Sequence, residues 1–111
     1  MAEENQSQQQ LKANLIRMKQ DLDVANERYV KARNELREHI RVDESLKELD
    51  DDRVAYRIIG EVLAKQTVKE VRPYVKTTIQ QLEQVIAQME QFLNKRSAEI
   101  QEYQAKNQIK M

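Results

Sequence analysis

The chain has 111 residues, of which 40% are apolar, only 5% aromatic and 34% charged, with 19 basic residues set against 19 acidic ones. So short a chain holds one domain at most, and so little aromatic bulk makes for a thin, elongated core rather than a thick globular one. Balanced, interspersed charge offers no cationic face to nucleic acid, and the absence of cysteine excludes a disulfide framework or a thiolate metal site.

Residues 1–10 are acidic and Gln-rich, so they are expected to form a disordered tail, with neither the apolar core of a signal peptide nor the basic face of a transit peptide. From Leu11 the apolar residues step by four and three, through Leu15, Met18, Leu22, Ala25, Tyr29, Ala32, Leu36 and Leu46, with His39 and Asp43 interrupting the row. A strict 3.5-residue repeat keeps one stripe facing a partner helix, which predicts a coiled-coil helix over about residues 11–50.

In the centre the period changes. Val54, Tyr56 and Ile58 alternate with Ala55, Arg57 and Ile59, and after Gly60-Glu61 comes the β-rich run Val62-Leu63-Ala64-Lys65. This predicts a β-hairpin over about residues 54–65, with the single Gly at a two-residue turn that needs positive φ and suits type II′. Thr67 and Glu70 have capping-box spacing, so a second helix is expected from Thr67 to about residue 106, with a bend or restart at Pro73. Its seam is Val75, Ile79, Leu82, Ile86, Met89, Leu93, Arg96, Ile100 and Tyr103. The apolar clusters Ile58-Ile59 and Val62-Leu63-Ala64 are far shorter than the ~20 residues a membrane span requires, which points to a soluble, cytosolic chain.

Flanking charges suggest how the two arms pair. An antiparallel register with Leu36 opposite Met89 and Ala32 opposite Leu93 brings Asp21 to Lys106, Arg28 to Glu99 and Arg33 to Glu90, and sets Tyr29 against Arg96 as a cation–π pair. A slip of one heptad puts Asp21 against Glu99 or Arg28 against Lys106. In the favoured register Leu22 faces Tyr103 and Met18 faces Asn107, so Leu11 and Leu15 lack apolar partners.

A lone hairpin is marginal in water. With two open edges and an Ile-, Val- and Leu-rich face it is expected to pair with strands of other chains, through Tyr56, Ile58, Ile59, Gly60, Val62 and Leu63. Val42, Val85 and Phe92, apolar beyond the seam, extend that assembly surface, as does Ile40.

Two coiled-coil helices bracketing one hairpin resemble the β-type subunits of prefoldin. The likeness is most specific in Tyr56-Arg57-Ile58-Ile59-Gly60, Val62-Leu63 and Thr67-Val68-Lys69-Glu70-Val71 with Pro73, and again in Tyr103-Gln104-Ala105-Lys106-Asn107-Gln108-Ile109. It departs from the family's usual pair of turn glycines, with Glu61 as the second turn residue, and from a frequent Cys, with Ala55. The resemblance implies a mainly α fold, a prefoldin-like antiparallel two-helix coiled coil with a central β-hairpin. It also implies a hetero-hexamer of α-type and β-type subunits whose hairpins form a double barrel. The helix ends of such a complex hold unfolded polypeptides, notably actin and tubulin, for transfer to the cytosolic chaperonin without ATP or any cofactor. Leu11, Leu15, Ile16, Met18, Tyr103, Ile109 and Met111 are then the candidate client contacts.

Blander readings compete at several positions. The heptad residues are core, and a lone His39 is a tolerated seam residue rather than a ligand. Asp50-Asp51-Asp52 lacks the alternation, central Gly and terminal Glu of a calcium loop. The sequence holds no phosphate loop, no nucleophile beside a base and no metal cluster, so no enzyme is expected, and no basic block precedes the heptads as in a basic-region zipper. A generic coiled-coil scaffold or tether explains the arms but not the hairpin.

Overall fold

The computed structural model describes the backbone of residues 2–110, with side chains from residue 7 on. Helix α1 (Ala2–Lys47) leads into strand β1 (Val54–Ile59), which returns as β2 (Val62–Thr67) and runs directly into helix α2 (Val68–Lys106). The fold is mainly helical, with an antiparallel two-stranded sheet between the long helices. Helix α1 takes in residues 2–10, for which composition suggests a disordered tail. Glu and Gln are good helix formers, and the Gln10 side-chain amide donates to Asn14 Oδ1 one turn on, at 3.2 Å.

Heptad spacing accounts for which side chains are covered. Along α1, Leu15, Ala32, Asp43 and Leu46 are buried and Met18, Leu22, Ala25, Tyr29, Leu36 and His39 half-buried, while Ile16, Val24 and Val30 face solvent. The two polar seam residues each find a partner within one turn. His39 Nδ1 donates to the Glu35 carbonyl at 2.8 Å, and one oxygen of the buried Asp43 carboxylate meets Lys47 at 3.3 Å while the other has no partner.

Two-residue loops of type I′ need positive φ at both positions, type II′ only at the first. Gly60 has φ +62° and Glu61 is not in the positive region, which fits type II′. The register pairs Ile59 with Val62 across the turn and Val54 with Thr67 at its base. Thr67 caps α2: its Oγ1 accepts the Glu70 amide at 3.3 Å. The return half of the box differs from expectation, since the Glu70 carboxylate accepts the Thr67 hydroxyl at 3.0 Å. Pro73 lies inside α2, which does not restart there.

The chain divides into two compact units, one built from the chain up to Val30 and from Ala87 on, the other from Lys31–Ile86. In neither does the charge-derived register hold. In the first, Leu15 rather than Ala25 packs with Ile100. There Asn14 Nδ2 donates to the Tyr103 hydroxyl at 3.4 Å, and the Tyr29 hydroxyl donates to Glu90 at 2.6 Å. In the second, Leu46 packs with Val68 and Val71, with Val75 against them, where the expected register sets Leu46 level with Ile79. Both differences are a slip of about one heptad.

Backbone anchoring at the start of α2 explains the slip. The Val68 amide donates to the Arg53 carbonyl at 2.9 Å and the Lys69 amide to the Asp51 carbonyl at 3.1 Å, so the loop after α1 satisfies two orphan donors of the new helix and fixes where it begins. Packing then outweighs the charges. Fully burying Leu15 and Ile109 contributes ~1.5–3 kcal/mol each, against ~1 kcal/mol or less for an exposed like-charge contact. The contact that slip creates is also relieved: Asp21 and Glu99 line one open groove with Lys95 and Arg96, and Arg96 pairs with Glu99 at 3.0 Å.

Candidate functional site

The hairpin displays its apolar residues instead of burying them. Strand alternation puts Val54, Tyr56 and Ile58 on one face with Leu63 and Lys65, since Tyr56 pairs with Lys65 and Ile58 with Leu63. Ile58 is 74% exposed, and Val54, Tyr56 and Leu63 are likewise open to solvent. On the opposite face, Ala55 packs against the Leu46, Val68 and Val71 cluster. Toward the turn, Ile59 and Val62 on that same face are exposed again, so the hairpin tip is apolar and uncovered on both sides.

Polar chemistry holds the hairpin to its helix. The Arg57 guanidinium lies 3.7 Å from the centre of the Tyr74 ring on α2, and its Nε donates to Gln66 Oε1 across the strands at 3.1 Å. This cation–π stack is a feature the heptad reading misses, because Arg57 sits in the alternating segment and Tyr74 off the seam; Pro73-Tyr74 at the start of α2, one turn after the cap, is the available signal. Val42 and Val85 are exposed on the helices of this unit, as is Ile40, and Phe92 is exposed in the other unit, on the wall of the Asp21–Glu99 groove.

The tip residues are arranged differently from expectation. Leu15 is 0% and Ile109 5% exposed, and with Ile100 they form one buried cluster against which Leu11, Met18, Leu22 and Tyr103 pack. Leu11 and Leu15 therefore do not lack apolar partners. The register slip brings Tyr103 and Ile100 level with them, and a reversal of the chain supplies a further side chain. That reversal is a Schellman motif: Gln108 stands at φ +52°, its amide donates to the Ala105 carbonyl at 3.2 Å, and the Ile109 amide reaches back to the Gln104 carbonyl at 3.0 Å. The Gln104 side chain donates to the Ile109 carbonyl at 3.2 Å, and the Asn107 side chain to the Tyr103 carbonyl at 2.9 Å. A polar pair followed by Ile just beyond the last heptad is the sequence trace of this motif. Ile16 points away, 43% exposed, and Met111 lies outside the described residues.

Among the described residues no group of three or more His, Asp or Glu side chains could hold a metal, and no helix is long and apolar enough to cross a membrane. Two seam-packed helices that hold out an uncovered apolar hairpin define an assembly subunit. The family of prefoldin subunits matches residues 8–111. Over 105 residues the chain is 32% identical to prefoldin subunit 2 of Homo sapiens, covering 95% of this chain and 68% of that protein. It is 35% identical over 74 residues to prefoldin subunit 2 of Arabidopsis thaliana, covering 67% of this chain and 50% of that one. The crystal structure of the prefoldin beta subunit from Thermococcus strain KS-1 shares the fold, with a TM-score of 0.80 over 95% of this chain and 94% of that chain at 22% identity. The chain belongs to the prefoldin subunit family, whose members are chaperone subunits rather than enzymes and assemble with other prefoldin subunits.

Proposed function

We propose that this chain is a β-type subunit of a cytoplasmic prefoldin hexamer that captures unfolded or nascent proteins, among them actin and tubulin, and passes them to the cytosolic chaperonin without ATP. The observation that carries the assembly half of this reading is the hairpin, apolar and exposed on both faces near its turn. Leaving Ile58, Ile59, Val62 and Leu63 in water forgoes ~1.5–3 kcal/mol per side chain, which strands from sister subunits would recover by covering the sheet and pairing its edges. Val42 and Val85, exposed on the helices of the same unit, extend that surface, and the exposed Phe92 is a further assembly contact. Client capture falls to the helix ends, where Leu11, Leu15, Ile16, Met18 and Tyr103 supply apolar contacts that suit many partners, with Ile109 packed among them.

Mixing the chain with an α-type prefoldin subunit and weighing the product by native mass spectrometry tests the assembly. A hetero-hexamer is expected, and it should suppress aggregation of chemically denatured actin in the absence of ATP. A chain that instead forms a stable homodimer and ignores the α-type subunit would be a coiled-coil tether.

A further inference from the structure

We infer that Ile109 is a displaceable plug, seated in the groove that Leu11, Leu15, Met18, Ile100 and Tyr103 form at the helix ends, and that an extended apolar segment of a non-native polypeptide binds there by taking its place. The inference rests on the client-capture reading above and adds what that groove holds when no client is present.

Ile109 lies beyond the last residue of α2, Lys106, and yet is 5% exposed, packed on Leu15 and Ile100. Holding it there requires Gln108 at φ +52°, the single non-glycine residue with positive φ among those described. A side chain with a Cβ is disfavoured in that region, so the plug sits against a backbone penalty that Gly would not incur. Its remaining attachments are three hydrogen bonds, from the Gln108 amide to Ala105, from the Ile109 amide to Gln104 and from the Gln104 side chain to the Ile109 carbonyl. The groove itself belongs to α1 and α2 and does not depend on Ile109 for its backbone. Turning Gln108 out of its left-handed conformation therefore uncovers a preformed apolar slot sized for one aliphatic side chain. At its rim Asn14 and Tyr103 share a long 3.4 Å hydrogen bond, and both can turn toward the backbone of an incoming segment.

A self-filled groove keeps apolar surface out of water between clients. It also lowers apparent client affinity by the fraction of time the plug is out, so loosening the plug must tighten client binding and fixing it must weaken binding. This runs opposite to the rule that removing apolar contact surface weakens a binding site.

Gln108 is exposed, which makes it the position to vary. Hexamer assembled with wild-type chain, Gln108→Val or Gln108→Gly is titrated with fluorescein-labelled, reduced and carboxymethylated α-lactalbumin, a permanently unfolded protein, and binding is followed by anisotropy. A β-branched residue resists the left-handed conformation and Gly accepts it, so Gln108→Val should bind about three- to fivefold tighter and Gln108→Gly about three- to fivefold weaker. Amide exchange at Ile109 should quicken in the first variant and slow in the second, which shows that the plug has moved. Ile109→Ser should also bind more tightly than wild type. If exchange at Ile109 responds and affinity does not, while Leu15→Ser weakens binding, the plug is overturned and capture at the helix ends stands. If Leu15→Ser too leaves affinity unchanged with helix content intact, capture at this end fails and the plug fails with it.

Discussion

Hairpin and tip treat the same kind of residue in opposite ways. Ile58 at the hairpin is 74% exposed, whereas Leu15 and Ile109 at the tip are 0% and 5% exposed. A β-strand shows alternate side chains to opposite faces, so a two-stranded sheet covered on one side at its base leaves its outer face bare unless another chain covers it. The tip can close on itself, because a helix end followed by a left-handed residue turns the chain back over the seam. An apolar surface proposed for permanent partners can stay open in the separate subunit, while one proposed for passing clients gains from a cover of its own.

Five variants break or sharpen that contrast. The largest effect is expected from Ile58→Asp together with Leu63→Asp, directly paired across the hairpin: native mass spectrometry should find no hexamer, while the far-UV circular dichroism of the separate chain stays unchanged. Truncation at each end should then differ sharply in the separate chain. Leu15→Ala should cost about 2–5 kcal/mol in urea unfolding, and Ile58→Ala within about 0.5 kcal/mol of nothing. Equal costs would mean that the hairpin is covered within the chain. Asp43→Leu replaces a buried carboxylate that has one unpartnered oxygen with an apolar seam residue; it should raise stability by about 1–2 kcal/mol, seen as a higher Tm. Thr67→Ala removes the acceptor of the Glu70 amide and should lower stability by about 1 kcal/mol.

Architecture was legible in the residues because period and punctuation are local signals. Steps of three and four marked both seams, alternation from Val54 marked the strands, and Gly60 marked a turn whose φ is +62°. Register was not legible in this way. A coiled-coil seam is nearly self-similar under a shift of one heptad, so flanking charges such as Arg28 and Glu99 were left to choose, and each carries less energy than one buried leucine. What decides is the backbone tie from Val68 and Lys69 to Arg53 and Asp51, which leaves no side-chain signature. The residues proposed for assembly, Val42, Val85, Phe92 and the hairpin set, were chosen for apolarity off the seam, and all are exposed. The tip residues Leu11 and Leu15 were chosen for lacking partners, a premise that failed with the register. Helical backbone over residues 2–10 was obscured because a polar Gln-rich run suits a solvated helix as well as a tail.

The tie at the start of α2 also bears on the order in which the molecule folds. Leu46 and Val68 are roughly twenty residues apart in sequence and Leu15 and Ile100 roughly eighty-five, a difference in loop-closure entropy of about 1.2 kcal/mol. Contacts around the hairpin base close the shorter loop, and once they form, every later seam layer closes only a small additional loop. Folding should therefore nucleate beside the hairpin and zip outward, with the tip last to close and first to fray. Val68→Ala should slow refolding, and Ile109→Val should act mainly by speeding unfolding, the partition that stopped-flow kinetics reads directly.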